Sequence, residues 1–156
     1  MEITCRNANF DDASLLLSWR NSPEARKYSL ESELITSDEH MAWFSSRLLR
    51  IESEPFLIFF WKLKPIGTVR LDFESFKSKK FLISIFIDPT YHGIGIGNKI
   101  LTIICEQYLT TPGKVIIARV QKSNIVSKKL FVSTGFKPIS ESSDFILYEK
   151  NSNETS

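Results

Sequence analysis

Over the first fifty residues apolar positions recur at helical spacing; after residue 55 they alternate or run together. Residues 2–6 read as a short strand. In FDDASLLLSWRN, Leu16 and Trp19 lie three apart behind an aspartate placed to cap, which predicts a helix. SPEARKYS follows with Ser22 as N-cap and Pro23 at the first helical position, so a second short helix begins at once. TSDE at 36–39 is a capping box. It opens a third helix with a buried stripe of His40, Trp43, Phe44, Arg47 and Ile51.

The period then changes. PFLIFFWKLKPIGTVRLDFES predicts two strands joined by a turn at KLKP. In the second strand Val69, Leu71 and Phe73 face one side, and Thr68, Arg70, Asp72 and Glu74 the other. KKFLISIFIDP is apolar on both faces, which predicts a central strand. Residues 96–109 read as a helix with Ile96, Ile100, Ile103 and Ile104 inward, stopped by TTPG. KVIIARV is a buried strand, and NIVSKKLFVSTG is a helix ended by Gly135. FKPIS is a weak strand and DFILYEK the last one. The order β-α-α-α-β-β-β-α-β-α-β-β makes a mixed α/β (α+β) sandwich, a mostly antiparallel sheet with helices on its faces. At 156 residues the chain fits one domain, expected over 1–150, with NSNETS at 151–156 as a disordered tail.

Composition narrows the classes. A formal net charge of +2 gives no electrostatic case for a nucleic-acid partner. KSKK at 77–80 is a solvated basic turn, and the twelve phenylalanines read as core. Cys5 and Cys105 are far apart and unpatterned, which suits buried thiols better than a disulfide or a metal site. MEITCRNANF lacks the basic start and apolar stretch of a signal peptide, and the run FLIFFW is too short to cross a membrane. The expectation is a cytoplasmic protein with no metal, no membrane and no nucleic-acid partner.

The stretch DPTYHGIGIGNKIL places glycines at 93, 95 and 97 between a buried strand and a helix. A helix N-terminus carries unpaired N–H groups and partial positive charge, and glycines let a large anion approach. The loop therefore reads as a phosphate site. It lacks the Gly-Lys-Ser/Thr of a nucleoside-triphosphate loop and the spacing of a dinucleotide fingerprint. A plain glycine-rich turn is the other reading of the loop taken alone.

This stretch resembles the acetyl-CoA pyrophosphate loop of the GNAT N-acetyltransferases, Gln/Arg-x-x-Gly-x-Gly/Ala, with His92 at the Gln/Arg place and Gly95 and Gly97 at the glycine places. VQKSNIVSKKLFVSTGF resembles the family's second signature through Asn124, Ser127, Phe131 and Gly135-Phe136. The resemblance implies the GNAT fold: a seven-stranded, mostly antiparallel sheet, about four to five helices, and a V-shaped split between two central strands. It implies acetyl-CoA as cofactor, lying along Ser84, Ile85, Phe86 and Ile87, with the Ile87 N–H facing the thioester oxygen. The diphosphate would rest on His92, Gly93, Ile94, Gly95, Ile96, Gly97 and Asn98. Asn124, Ser127 and Phe131 fall on one helix face, which the resemblance sets against the cofactor's arm and sulfur. Phe131 departs from the family's usual tyrosine and has no proton to give. Either water, Ser127 or Ser133 protonates the leaving thiolate, or the thiolate leaves unprotonated.

The front half, with Trp-Arg-Asn at 19–21 and Glu-His-x-x-Trp-Phe at 39–44, is similar to acetyltransferases of the pseudaminic-acid and related bacterial surface-sugar pathways. That likeness implies a nucleotide-linked amino-sugar acceptor, with Arg20, Asn21, Arg26, Ser29, Arg70 and Asp72 as substrate candidates. His40 becomes a catalytic candidate alongside Ser127 and Ile87. Each has a plainer reading: His40 packed beside Trp43, Arg70 and Asp72 on a solvated sheet face, Asn21 capping a helix. Two other functions stay open, a protein or peptide N-terminal acetyltransferase and a non-catalytic acyl-CoA-binding module. The oligomeric expectation is a monomer or homodimer.

Overall fold

The computed structural model describes residues 1–29, 31–75 and 77–152. The strands are β1 (Ile3–Asn7), β2 (Phe56–Trp61), β3 (Lys64–Phe73), β4 (Lys80–Ile87), β5 (Val115–Gln121), β6 (Lys137–Glu141) and β7 (Phe145–Asn151). The helices are α1 (Ala13–Arg20), α2 (Pro23–Lys27), α3 (Ser37–Leu48), α4 (Ile96–Tyr108) and α5 (Ile125–Ser133). The strands form one seven-stranded sheet in the order β1-β2-β3-β4-β5-β7-β6. It is mostly antiparallel; β4 and β5 are parallel, registered at Lys80↔Val115, Phe81↔Ile116 and Leu82↔Ile117. Among the described residues no helix is long and apolar enough to cross a membrane.

The chain forms two compact units, Met1–Arg70 with Ile85–Tyr91, and Leu71–Ser84 with the chain from His92 on. The first has a core of Ala8, Leu16, Trp19, Phe44, Phe56 and Ile58, against which Phe86 packs. Two of its helices, α2 and α3, start where polar side chains satisfy free N–H groups. Ser22 accepts from the Ala25 N–H at 3.3 Å, and Thr36 from the Glu39 N–H at 3.1 Å. Asp12 does not cap α1 as the sequence suggested. It is buried, pairs with Arg6 through two contacts of 2.7 and 2.8 Å, and accepts from the Asn9 N–H. The Arg6 guanidinium holds its carboxyl below the usual carboxylate range. A pairing from a neighbouring strand outcompetes the local cap.

On α3, His40, Phe44 and Arg47 are buried as the stripe predicts. Trp43 is half out, at 39% exposed, and Ile51 lies beyond the helix. Fully buried Arg47 gives its Nη1 to the Glu54 carbonyl at 2.7 Å and its Nη2 to the Pro55 carbonyl at 3.2 Å. These bonds fix the path from α3 into β2. The β2–β3 turn falls at Lys62 and Leu63, both at positive φ (52° and 65°). That is the conformation of a two-residue primed turn, adopted here without the usual Asn-Gly.

In the second unit α4 buries Ile96, Ile100, Leu101, Ile104 and Cys105. Ile103, expected inward, is only half-buried. At 3.6 residues per turn it lies about 110° from the centre of that face. Strand β6 of the same unit is exposed at all of its residues, and it pairs with β7. Three composition-based readings need correction. Cys5 is exposed while Cys105 is buried. Phe10 and Phe73 are 60% and 38% exposed, so not every phenylalanine is core; Phe76 lies outside the described residues. Asn151, placed in the tail by sequence, ends β7, and residues 153–156 lie outside the described residues.

Candidate active site

The glycine loop belongs to the second unit. Gly93 and Gly95 stand at φ +80° and +84°, where an L side chain is strained. A Cβ at either would meet nothing within 4 Å. The glycines are thus needed for their backbone conformation, and the face above them is open. Gly95 is the N-cap of α4 and offers no side chain to cap it. The first N–H to reach back along the helix is that of Lys99, to the Gly95 carbonyl at 3.2 Å. The N–H groups of Ile96, Gly97 and Asn98 precede it, at the positive end of the helix dipole. The first turn holds no acid. His92 and Ile94 are exposed beside it.

Asn98 ties this turn to α5, giving its Nδ2–H to Ser133 Oγ at 3.0 Å. Ser133 in turn donates to the Leu130 carbonyl at 2.9 Å. Asn124 caps α5 by accepting the Ser127 N–H at 3.1 Å. Phe131 is 3% exposed, edge-on to Phe136 (5.0 Å between centroids) and stacked on Tyr148 (6.3 Å). Its role in the unit is packing; of the three residues on that helix face, Asn124 and Ser127 are the partly exposed ones. Ser84 and Asp72, both part-exposed, also belong to this unit.

Ile85, Phe86 and Ile87 belong to the first unit. Their path is set by three contacts. Phe86 lies tilted against Trp19 at 5.7 Å, the Asp88 N–H bonds the Ile66 carbonyl at 2.9 Å, and Trp19 Nε1–H reaches Asp88 Oδ2 at 3.2 Å. Gly67 on β3 is the residue that sequence reasoning passed over. A Cβ there would sit 2.6 Å from the Phe86 carbonyl oxygen. A lone glycine inside a strand pattern is the available signal for such close backbone approach.

The first unit also gathers most of the proposed acceptor residues. Arg20 Nη2 donates to the Glu31 carbonyl at 3.0 Å, and Arg26 Nε to the Ser32 carbonyl at 2.8 Å. Asn21 clamps Ile35 from both sides, donating to its carbonyl and accepting its N–H, each at 2.9 Å. Ser29 accepts the Glu31 N–H at 3.2 Å. These side chains lace the loop at 31–36 onto α1 and α2. Behind the lacing is a cavity of about 420 Å³, bounded by Arg20, Glu39 and residues 31–35. Its size is that of a small-ligand site.

His40 is 3% exposed, stacked on Phe44 at 5.6 Å and tilted against Trp43 at 5.7 Å. Burial, and then the Arg20 charge, push its pKa below the usual histidine value. It therefore stands neutral at pH 7. Arg70 lies over the half-exposed Trp43 ring at 4.9 Å, so its guanidinium is on an aromatic face as well as on the sheet.

Comparison with known proteins agrees with this layout. Residues 2–137 match the family described as acetyltransferase (GNAT) domain. An uncharacterized protein of Methanocaldococcus jannaschii is 28% identical over 138 residues, covering 87% of this chain and 28% of the relative. The chain thus spans little more than a quarter of that relative's length. The crystal structure of a domain from the same archaeon superposes with a TM-score of 0.83 at 26% identity, covering 96% of this chain and 98% of the other. Spermidine N-acetyltransferase from Vibrio cholerae, in complex with CoA and spermine, shares the fold with a TM-score of 0.85 at 16% identity, covering 98% and 97%. With the family match running from β1 into β6, the chain belongs to the GNAT acetyltransferases.

Proposed function

We propose that this protein transfers the acetyl group of acetyl-CoA to the amine of a nucleotide-linked amino sugar, residues 1–150 working as one catalytic domain. Acetyl-CoA, when bound, supplies an acyl thioester whose carbonyl carbon is open to a neutral amine. The start of α4 carries the reading. Two glycines at positive φ, an open face above them and leading N–H groups free of acidic neighbours fit a diphosphate. The CoA in the Vibrio cholerae enzyme supports the same ligand here.

On this reading His92, Gly93, Ile94, Gly95, Ile96, Gly97 and Asn98 hold the diphosphate. The backbone of Ser84, Ile85, Phe86 and Ile87 is assigned to the cofactor's arm, and so are Asn124 and Ser127. The Ile87 N–H steadies the thioester carbonyl oxygen. Buried and neutral, His40 is suited to take the proton from the attacking amine. Phe131 gives no proton, and none is essential, because a thiol with a pKa of about 8.5 leaves readily near neutral pH. The cytoplasm supplies acetyl-CoA, and the expected form is a monomer or homodimer.

One observation favours a second acceptor class. Glu31, Glu33 and Glu39 line the cavity against a single arginine, which suits a cationic amine such as a peptide N-terminus or a polyamine. The test is CoA release from acetyl-CoA, followed with a thiol reagent, over nucleotide-linked amino sugars, N-terminal peptides and polyamines. Turnover on the sugar nucleotides alone is expected. Turnover on peptides or polyamines alone replaces the acceptor. Tight CoA binding without turnover on any amine leaves the acyl-CoA-binding module.

A further inference from the structure

Arg20 and Arg47, two of the first-unit arginines that reach backbone carbonyls from a helix, differ in one respect. Arg47 is fully buried and has a carbonyl on each Nη. Arg20 has the Glu31 carbonyl on Nη2, but its Nη1 is buried with no hydrogen-bond partner. Among the described residues it is the one buried side-chain nitrogen or oxygen left in that state. A guanidinium is always charged, and leaving one of its donors unmet out of water is unfavourable. Arg20 also lines the 420 Å³ cavity, whose other walls carry three carboxylates, none of them bonded to Nη1.

We propose that Arg20 Nη1 is the seat for an anionic oxygen of the acceptor, so that the acceptor carries a phosphate or carboxylate as well as its amine. Glu31, Glu33 and Glu39 then face the amine and hydroxyl donors of the same molecule. The cavity selects for both signs of charge at once. The inference rests on the acetyl-transfer reading only in calling the ligand an acceptor; the anion seat itself stands on Arg20 and the cavity.

The test needs no turnover. The chain has two histidines, His40 and His92, so each is followed separately by NMR titration of the full chain. Burial, and then the Arg20 charge, hold the His40 pKa down, and an anion placed on Arg20 offsets the second of these and lets it rise. The probes are UDP for phosphate and N-acetylglycine for carboxylate. A rise in the His40 pKa with UDP, abolished in Arg20→Gln and kept in Arg20→Lys, is the expected result. A rise with N-acetylglycine and not UDP keeps the seat, assigns it to a carboxylate and removes the nucleotide. No rise with either probe at saturating concentration, or equal binding to Arg20→Gln, overturns the proposal. In turnover, Arg20→Gln should raise the acceptor KM at least tenfold and leave the acetyl-CoA KM unchanged. A His40 shift with UDP but no sugar-nucleotide turnover sinks the acceptor reading and keeps the seat; turnover without the shift does the reverse.

Discussion

Replacing Gly67 with alanine isolates the contact that brings β3 against β4. The new Cβ would lie 2.6 Å from the Phe86 carbonyl oxygen, 3.1 Å from Ile87 Cδ1 and 3.4 Å from Ile87 Cα. Two of those atoms are backbone, so no rotamer change relieves them. Reaching ordinary van der Waals separation takes a shift of about 0.8 Å. Without the clash, alanine would stabilise a strand interior by about 0.5–1 kcal/mol over glycine. With it, overpacking of this kind costs about 1–3 kcal/mol, so the net sign reverses. The displaced residues are the ones assigned to the cofactor's arm and the thioester oxygen, and a 1 Å misplacement in such a site costs about 10²-fold in rate. Urea unfolding and CoA release on the same preparation give both numbers. Gly93→Ala is the control, since it meets no atom within 4 Å and acts through its φ of +80° alone. A Gly67→Ala protein as stable and as active as the parent would refute the reasoning.

Other outcomes follow from the same geometry. His40 is depressed in the folded state, so the unfolded chain binds the proton first as pH falls; its contribution is whole above about pH 6.5 and is lost below, as pH falls toward the folded pKa. His40→Gln should flatten that part of the stability-against-pH curve measured by urea unfolding. Asn21→Ala removes both bonds to Ile35 and should cost about 1–3 kcal/mol locally. The expected readouts are faster hydrogen exchange at the Ile35 amide and a raised acceptor KM; unchanged exchange would show that the clamp is dispensable. Lys62-Leu63→Asn-Gly relieves two residues at positive φ and should raise stability by about 1–2 kcal/mol in thermal unfolding.

Much of the architecture was legible because its signals are local. The caps at Ser22 and Thr36, the change of period after residue 55 and the glycine loop all act within a few residues. What sequence missed depends on partners in other elements. Asp12 reads as a cap until Arg6 from β1 is seen beside it. Ile103 and Leu101 are interchangeable on a helical wheel until the neighbours choose a face. The Trp-Arg-Asn motif and Arg26 name substrate candidates but not what they bind, and the fold shows Arg20, Asn21 and Arg26 bound to one loop, 31–36, with a cavity behind it. Gly67 carried a signal, a glycine inside a strand, but its partner atom lies nineteen residues on, at Phe86.

Strand β6 ends the sheet with the sequence Lys-Pro-Ile-Ser-Glu. An outer strand ordinarily offers a ladder of donors and acceptors to any other extended chain. At Pro138 one rung has no hydrogen to give, and the register against β7 shifts between Pro138 and Ser140, which bends the ladder away from straight. Lys137 and Glu141 add a charge at each end, where desolvation by a second strand is costly. This side of the sheet is thereby guarded against growing into a fibre or a strand-joined dimer, and a self-association of the protein has to be made through side-chain surfaces or the β1 border instead.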